Sequence, residues 1–282
     1  MTSLSGKTIL ITGAGQGIGQ SLAIGLAEAG ANLIVVDIDG EALRETALQI
    51  NVHGGRVLSR VMDVTDAGAA EALQAQAKLE FGCVDALVNN AAIGPEKISP
   101  RYLAEKAKFW EVSDELWLAM LRVNVFGAQL MSRTFVPGML EKKWGRIVNI
   151  TTSLDTMYRP GVGGYGPCKA ALEAASRIMA IDLEGTGVTA NVLVPGGPVN
   201  TRMVPAESGL PADKLIQPEQ MRAPLIWLCS NDSDGVNGLR MIAQRWDPTL
   251  PSERRLAMAS APTAWPQLGS QSVFPKPDNP VA

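Results

Sequence analysis

Within this 282-residue sequence, the side chains best suited to proton chemistry are Tyr165 and Lys169, in the run Tyr165-Gly166-Pro167-Cys168-Lys169. A free phenol, with a pKa near ~10, is a poor base at neutral pH. A lysine four residues further along a helix lies on the same face, and its charge favours the phenolate. Pro167 suits the first turn of such a helix, where its missing N–H costs nothing. A second chemical element is the run Thr12-Gly13-Ala14-Gly15-Gln16-Gly17-Ile18-Gly19. Glycines there let the backbone turn tightly and approach a pyrophosphate, whose charge is met by the N-terminus of the helix that follows. The next apolar run, Leu33-Ile34-Val35-Val36, ends in Asp37. A carboxylate at that point accepts both ribose hydroxyls of an adenosine and repels a 2'-phosphate. No Lys or Arg stands in the glycine run or directly after Asp37, so NAD(H) is expected in preference to NADP(H).

These groups need a scaffold that brings distant segments together. Short apolar runs rich in Val and Ile alternate with amphipathic stretches of helical length, the signature of βαβ units on a parallel sheet. Strands are expected over Thr8 to Thr12, Asn32 to Asp37, Arg56 to Met62, Ala86 to Asn89, Arg146 to Ile150, Thr189 to Val194 and Leu239 to Ala243. They are nearly continuous hydrophobic runs, as strands covered on both faces should be. Helices are expected over Ile18 to Ala29, with Gly30 as its stop, Glu41 to Asn51, Ala67 to Glu80, Ser113 to Lys142, Gly166 to Glu184 and Pro218 to Ser230. Right-handed crossovers then give an α/β fold with an open, doubly wound parallel sheet. One domain is expected over residues 1–247, followed by a Pro- and Ser-rich extension, residues 248–282. Its five prolines beyond position 260, with Trp265 and Phe274, fit either an ordered strap or a disordered terminus.

Composition removes several classes of function. The 25 basic and 28 acidic residues are interspersed, giving a net charge of -3 without the cationic stripe that nucleic acid requires. Cys83, Cys168 and Cys229 are odd in number and far apart, which suggests neither a disulfide framework nor a metal cluster and fits a reducing cytoplasm. His53 is the only histidine, so the usual base of a Ser-His-Asp or Cys-His hydrolase is missing. The run MTSLSGKTILITG enters a strand pattern without the apolar core of a signal peptide. No apolar stretch approaches the ~20 residues of a membrane span.

The glycine run reads TGxxxGxG, and with Asp63-Val64, Asn89-Asn90-Ala91-Ala92, Tyr165 to Lys169 and Pro195-Gly196 the sequence resembles the short-chain dehydrogenase/reductase family. The resemblance implies a Rossmann-like fold and an NAD-dependent oxidoreductase that interconverts a secondary alcohol and a ketone. By that resemblance Gly13, Gly15, Gln16, Gly17, Ile18 and Gly19 cradle the cofactor, and Asp63 and Val64 bind the adenine edge. Asn90 and Ala91 support the ribose. Asn124 resembles the family's helix-bending asparagine that holds a proton-relay water, and Tyr165 and Lys169 hold the nicotinamide ribose as well as the proton. Pro195, Gly196, Val199 and Thr201 match the segment that meets the carboxamide. The family also uses a hydroxyl, usually a Ser thirteen residues before the Tyr, to polarise the substrate carbonyl. Thr152 has the spacing and Ser153 has the residue type, so both stay open as the donor. A one-residue deletion between Leu154 and Gly164 would reconcile Ser153 with the pattern.

Ligands of open α/β sheets bind beyond the carboxyl ends of the strands, which puts the substrate near Ala92, Thr152 and Tyr165. The long stretch from Ile93 to Glu111, with Tyr102, Phe109 and Trp110, and the residues Met157, Tyr158 and Met203 would wall an apolar, medium-sized alcohol or ketone. Family members are usually dimers or tetramers built through the long helices Ser113 to Lys142 and Gly166 to Glu184, so a homodimer or homotetramer is expected here, with the tail after Pro248 reaching a neighbour. The alternative is a non-catalytic NAD-binding regulator, which would not need Tyr165 or Lys169. A sugar-nucleotide epimerase or dehydratase would need a larger C-terminal domain than the ~80 residues left here.

Overall fold

The computed structural model describes residues 2–268. Seven apolar runs form parallel strands: β1 (Thr8–Thr12), β2 (Asn32–Asp37), β3 (Val57–Val61), β4 (Ala86–Asn89), β5 (Gly145–Ile150), β6 (Val188–Val194) and β7 (Leu239–Ile242). Every residue of β1, β4, β5 and β6 is buried, whereas β3, at one edge, is largely open to solvent. That contrast is what full coverage of a parallel sheet by helices on both faces produces. The strand order 3-2-1-4-5-6-7-8 reverses between β1 and β4, which makes that crevice the place where a ligand binds.

An eighth strand, β8 (Ser260–Pro262), pairs antiparallel with β7, with Arg240 opposite Ala261. It lies in the segment after residue 247. Before it runs a short helix (Ser252–Ala259) whose Leu256 and Ala259 pack into the main core. Trp265 is described and partly buried; Phe274 lies outside the described residues.

Helices α1 (Gly17–Glu28), α2 (Gly40–Asn51) and α3 (Ala67–Phe81) follow the first three strands. The stretch expected as one helix from Ser113 to Lys142 is α4 (Asp114–Leu121), a wide π-turn (Arg122–Gly127) and α5 (Ala128–Lys142). Apolar periodicity runs through all three pieces, so periodicity alone cannot find the break; its physical cause, Asn124, appears below. A short α6 (Leu154–Met157) and the long α7 (Tyr165–Asp182) flank the exit of β5. The helix expected from Pro218 to Ser230 opens as a 3-10 turn (Pro218–Met221) and continues as α8 (Arg222–Leu228), followed at the C-terminal end by α9 (Ser252–Ala259). Among the described residues no helix is long and apolar enough to cross a membrane.

Candidate active site

The turn from β1 into α1 is shaped by close backbone approach. Gly13 adopts φ +65°, and a Cβ there would come within 2.7 Å of Ala91 Cα, so an L side chain is opposed both by conformation and by space. A Cβ on Gly19 would lie 1.9 Å from the Gly13 carbonyl oxygen. Gln16, the residue before α1, is extended and supplies no side-chain cap, and the first turn holds no acid. By contrast Asp39, Asp66 and Ser113 each cap the helix they precede. The leading N–H groups of α1 are thus left free to meet an anion. Ile18 turns inward against the core.

Asp37 stands at the mouth of this turn. Its carboxylate accepts the Gly15 N–H at 2.8 Å and the Asp39 N–H at 3.0 Å. Arg202 Nη2 lies 4.0 Å from Asp39, so a cation reaches this end of the crevice from a distant segment that inspection of residues near Asp37 could not reveal. On the β4 side, the Thr12 hydroxyl accepts the Asn90 and Ala91 N–H groups at 3.1 Å each, and Asn90 Nδ2 donates to the Thr12 and Gly13 carbonyls at 3.0 and 2.9 Å. Asn90 therefore ties β4 to the glycine turn. Asp63 is exposed and closes a turn by accepting the Thr65 N–H at 2.8 Å, and Val64 is buried against Gly127.

The segment after β6 folds back over the same crevice. Gly196 takes φ +106°, Val199 bridges to Ile216, and the Thr201 methyl lies 3.2 Å from where a Gly17 Cβ would stand. Pro195 accepts the Gln244 N–H at 3.0 Å, anchoring this segment to the end of β7.

Tyr165 opens α7 and is only 6% exposed, in a cluster with Met120, Cys168, Ile93, Val125 and Met203. Burial pushes its phenol well above the usual range, Tyr102 and Glu96 add to that, and the neighbouring Thr152 side chain pulls the other way. Lys169 is 3% exposed and donates to the Ile150 carbonyl at 2.9 Å. Its ammonium stands 5.8 Å from the Tyr165 ring centre, and burial lowers it to about 8. The same-face arrangement is present, while the electrostatic outcome differs from the simple expectation: desolvation dominates and raises the phenol.

Of the two candidate hydroxyls, the one that bears on Tyr165 is Thr152. Ser153 is the residue before α6 and makes no capping bond. Asn124 is 1% exposed inside the π-turn, where Oδ1 accepts the Ile93 N–H at 2.7 Å and Nδ2 donates to the Ile93 carbonyl at 2.9 Å. Its two bonds to a neighbouring backbone take the place of regular helix contacts, which is one way a π-bulge is held open.

Three residues near this site were not singled out from the sequence. Glu173, fully buried, follows Tyr165 and Lys169 at the same four-residue interval; its Oε2 accepts from the Thr151 hydroxyl at 3.3 Å and from Arg240 Nη1. Arg240 Nη2 also donates to the Thr152 carbonyl at 2.7 Å. A carboxylate in the apolar stripe of a helix and an arginine within Leu239-Arg240-Met241-Ile242 are anomalies that could have flagged both. The third is Glu96, whose carboxyl is raised by burial and whose buried Oε2 finds no partner among the described residues. It lies beside Gly94 and Met203.

The expected substrate walls divide. Tyr102 is 7% exposed, pushed up to about 12 by burial, and Met203 closes over Gly94. Phe109 and Trp110 are 73% and 69% exposed and Tyr158 is 69% exposed, so these three stand open to solvent. Aromatic content marked the loop as apolar but could not say which rings turn inward.

Comparison with known proteins extends these observations. The family described as short chain dehydrogenase matches residues 7–209. The 2-dehydro-3-deoxy-D-gluconate 5-dehydrogenase of Dickeya dadantii is 31% identical over 247 residues, spanning 84% of this chain and 93% of that protein. The 1-deoxy-11-beta-hydroxypentalenate dehydrogenase of Streptomyces exfoliatus is 32% identical over 228 residues, 79% of each chain. A solved structure described as an NAD(P)-dependent gluconate 5-dehydrogenase of Beutenbergia cavernae, with NADP bound at low occupancy, matches with a TM-score of 0.72 at 31% identity, over 86% of this chain and 96% of that one.

Proposed function

Because the chain belongs to the short-chain dehydrogenase/reductase family, we propose that it interconverts a secondary alcohol and a ketone with NAD(H), Tyr165 acting as the acid/base. The observation that carries this reading is the convergence of Tyr165, Thr152 and buried Lys169 at the exit of β5, behind a turn with no room for a side chain at Gly13 or Gly19. The relatives' names, all dehydrogenases, point the same way.

The residues present suit a dinucleotide. Gly13, Gly15, Gln16, Gly17, Ile18 and Gly19 would hold the pyrophosphate against the uncapped end of α1, with Asp37 on the adenosine ribose and Asp63 and Val64 at the adenine. Asn90 and Ala91 would support the ribose, and Pro195, Gly196, Val199 and Thr201 the carboxamide, with Tyr165 and Lys169 on the nicotinamide ribose. When bound, the nicotinamide ring supplies or accepts the hydride. In reduction the Tyr165 O–H bond breaks as its proton passes to the carbonyl oxygen of the ketone, and in oxidation the phenolate takes the hydroxyl proton of the alcohol. Thr152 donates a hydrogen bond to the same substrate oxygen, with Ser153 as the other candidate, and Asn124 holds the π-turn beside the proton path.

Preference for NAD rests on Asp37 and is opposed by exposed Arg202 nearby. Assembly as a homodimer or homotetramer is supported by apolar side chains left in solvent on the two long helical stretches, Leu118, Phe126, Ile178 and Ile181. The test is a panel of secondary alcohols and ketones followed through NADH absorbance, with Tyr165→Phe beside the wild type. We expect that substitution to lower kcat by about 100- to 10,000-fold; equal turnover would overturn the assignment.

A further inference from the structure

The exit of β5 is pinned residue by residue. Lys169 holds the Ile150 carbonyl at 2.9 Å, Glu173 takes the Thr151 hydroxyl at 3.3 Å, and Arg240 holds the Thr152 carbonyl at 2.7 Å while pairing with Glu173. Two of these three anchors come from one stripe of α7, and the third from β7. We propose that the Arg240–Glu173 pair consists of positioning residues that fix the Thr152 main chain, and thereby aim the Thr152 hydroxyl at the Tyr165 oxygen. The proposal rests on the dehydrogenase reading given above.

A structural account of this pair is weak on its own terms. Glu173 is 0% and Arg240 9% exposed, and Glu173 Oε1 has no hydrogen-bond partner among the described residues. A buried ion pair with an unused acceptor is not the arrangement that stability favours, since apolar residues of similar volume commonly do as well or better. What an apolar pair cannot do is grip a carbonyl. The guanidinium has a planar fork that serves the carboxylate and the Thr152 carbonyl at once, and a lysine could not span both in that geometry.

The last part of the described chain braces the same pair. β8 runs beside Arg240, and the Thr263 N–H and hydroxyl both donate to the Gly238 carbonyl at 3.0 Å. Burial raises the Glu173 carboxyl, while Arg240 and the Thr151 hydroxyl favour its charged form. The segment 260–263 thus takes part in setting a hydroxyl that lies more than a hundred residues earlier in the sequence.

The experiment is a kinetic cycle on the full chain. Arg240→Met with Glu173→Met replaces the pair by apolar side chains; it should fold, bind NADH within about twofold of wild type and lose about 10- to 100-fold in kcat. Combined with Thr152→Ala, the same double replacement should cost almost nothing further, because both changes remove one function. A kcat within about twofold of wild type, or losses that multiply fully with Thr152→Ala, would overturn the proposal. Failure of the dehydrogenase reading itself would look different: Tyr165→Phe would keep its turnover. A crystal structure of Arg240→Met reads the claim without turnover, and Thr152 Oγ1 unmoved by more than ~0.5 Å would reject it. Should the double replacement not fold, Arg240→Lys, which keeps the charge but cannot span both acceptors, gives the same cycle.

Discussion

The two walls of the crevice are built on opposite principles. The β1–α1 wall is centred on the eight residues from Thr12 to Gly19, where close approach within the turn and to Ala91 leaves no room for a Cβ at Gly13 or Gly19. The β5–α7–β7 wall is assembled from Thr151, Thr152, Lys169, Glu173 and Arg240, with partners up to 88 positions apart, by buried charge and hydrogen bonds. The first is rigid because atoms would overlap; the second holds only while a polar network is complete. Damage to the first should therefore appear in binding and folding, and damage to the second in turnover.

The sharpest break on the first wall is Gly19→Ala. A methyl group 1.9 Å from the Gly13 oxygen cannot be relieved by a side-chain rotation, because the obstacle is backbone. We expect loss of measurable NADH binding and about 3 kcal/mol of stability, seen by fluorescence titration and thermal melting. Wild-type binding in this variant would remove the close-approach argument.

Next in size is a pH effect on the second wall. Burial lowers Lys169 from 10.5 to about 8, so below about pH 8 the folded protein carries the full cost of a buried charge. As pH rises from about 8 to 10.5 the folded state releases this proton before the unfolded state does, and stability rises. Lys169→Met lacks that group. The stability of wild type relative to Lys169→Met should therefore shift in favour of wild type by roughly 3 kcal/mol across this window, measured by urea unfolding of the ligand-free proteins. Tyr165, present in both, cancels. A flat difference would mean that folded Lys169 keeps its proton up to its ordinary value of 10.5.

This asymmetry also decides what the sequence could reveal. The glycine turn, Asp37 and the parallel strands were legible because short-range spacing encodes them. The pair Tyr165 and Lys169 was legible for the same reason, being one helical turn apart. Arg240 carries no local sign of its partners, since Glu173 and Thr152 meet it only through the order of strands β5, β6 and β7. The π-turn escaped for a related reason. Asn124 is held by Ile93, 31 residues earlier, and nothing in the periodicity of the helix around it records that bond. Thr152 and Ser153 could not be separated in sequence because the direction of each side chain is set by the register of β5 and by Arg240.

A smaller effect is expected at the cofactor's adenosine end. Asp37→Asn keeps acceptor capacity on one side and removes the charge that repels a 2'-phosphate, with Arg202 free to approach once the carboxylate is gone. The ratio of kcat/KM for NADH over NADPH should fall by about tenfold or more. An unchanged ratio would place cofactor choice elsewhere.

The smallest effects should come from the aromatic residues that the loop 93–111 turns outward. Phe109 and Trp110 pack edge to face on each other, with ring centres 5.0 Å apart and both rings mostly in solvent. Such a pair contributes to the loop surface. Phe109→Ser and Trp110→Ser should leave kcat/KM within about twofold and stability within about 0.5 kcal/mol. Tyr102, buried beside Tyr165 and Glu96, is the control within the same loop, and Tyr102→Ala should raise KM for the alcohol several-fold. If the outward pair proved the more sensitive, the substrate would have to enter over the loop rather than beneath it, and the inner wall drawn here would be the wrong one.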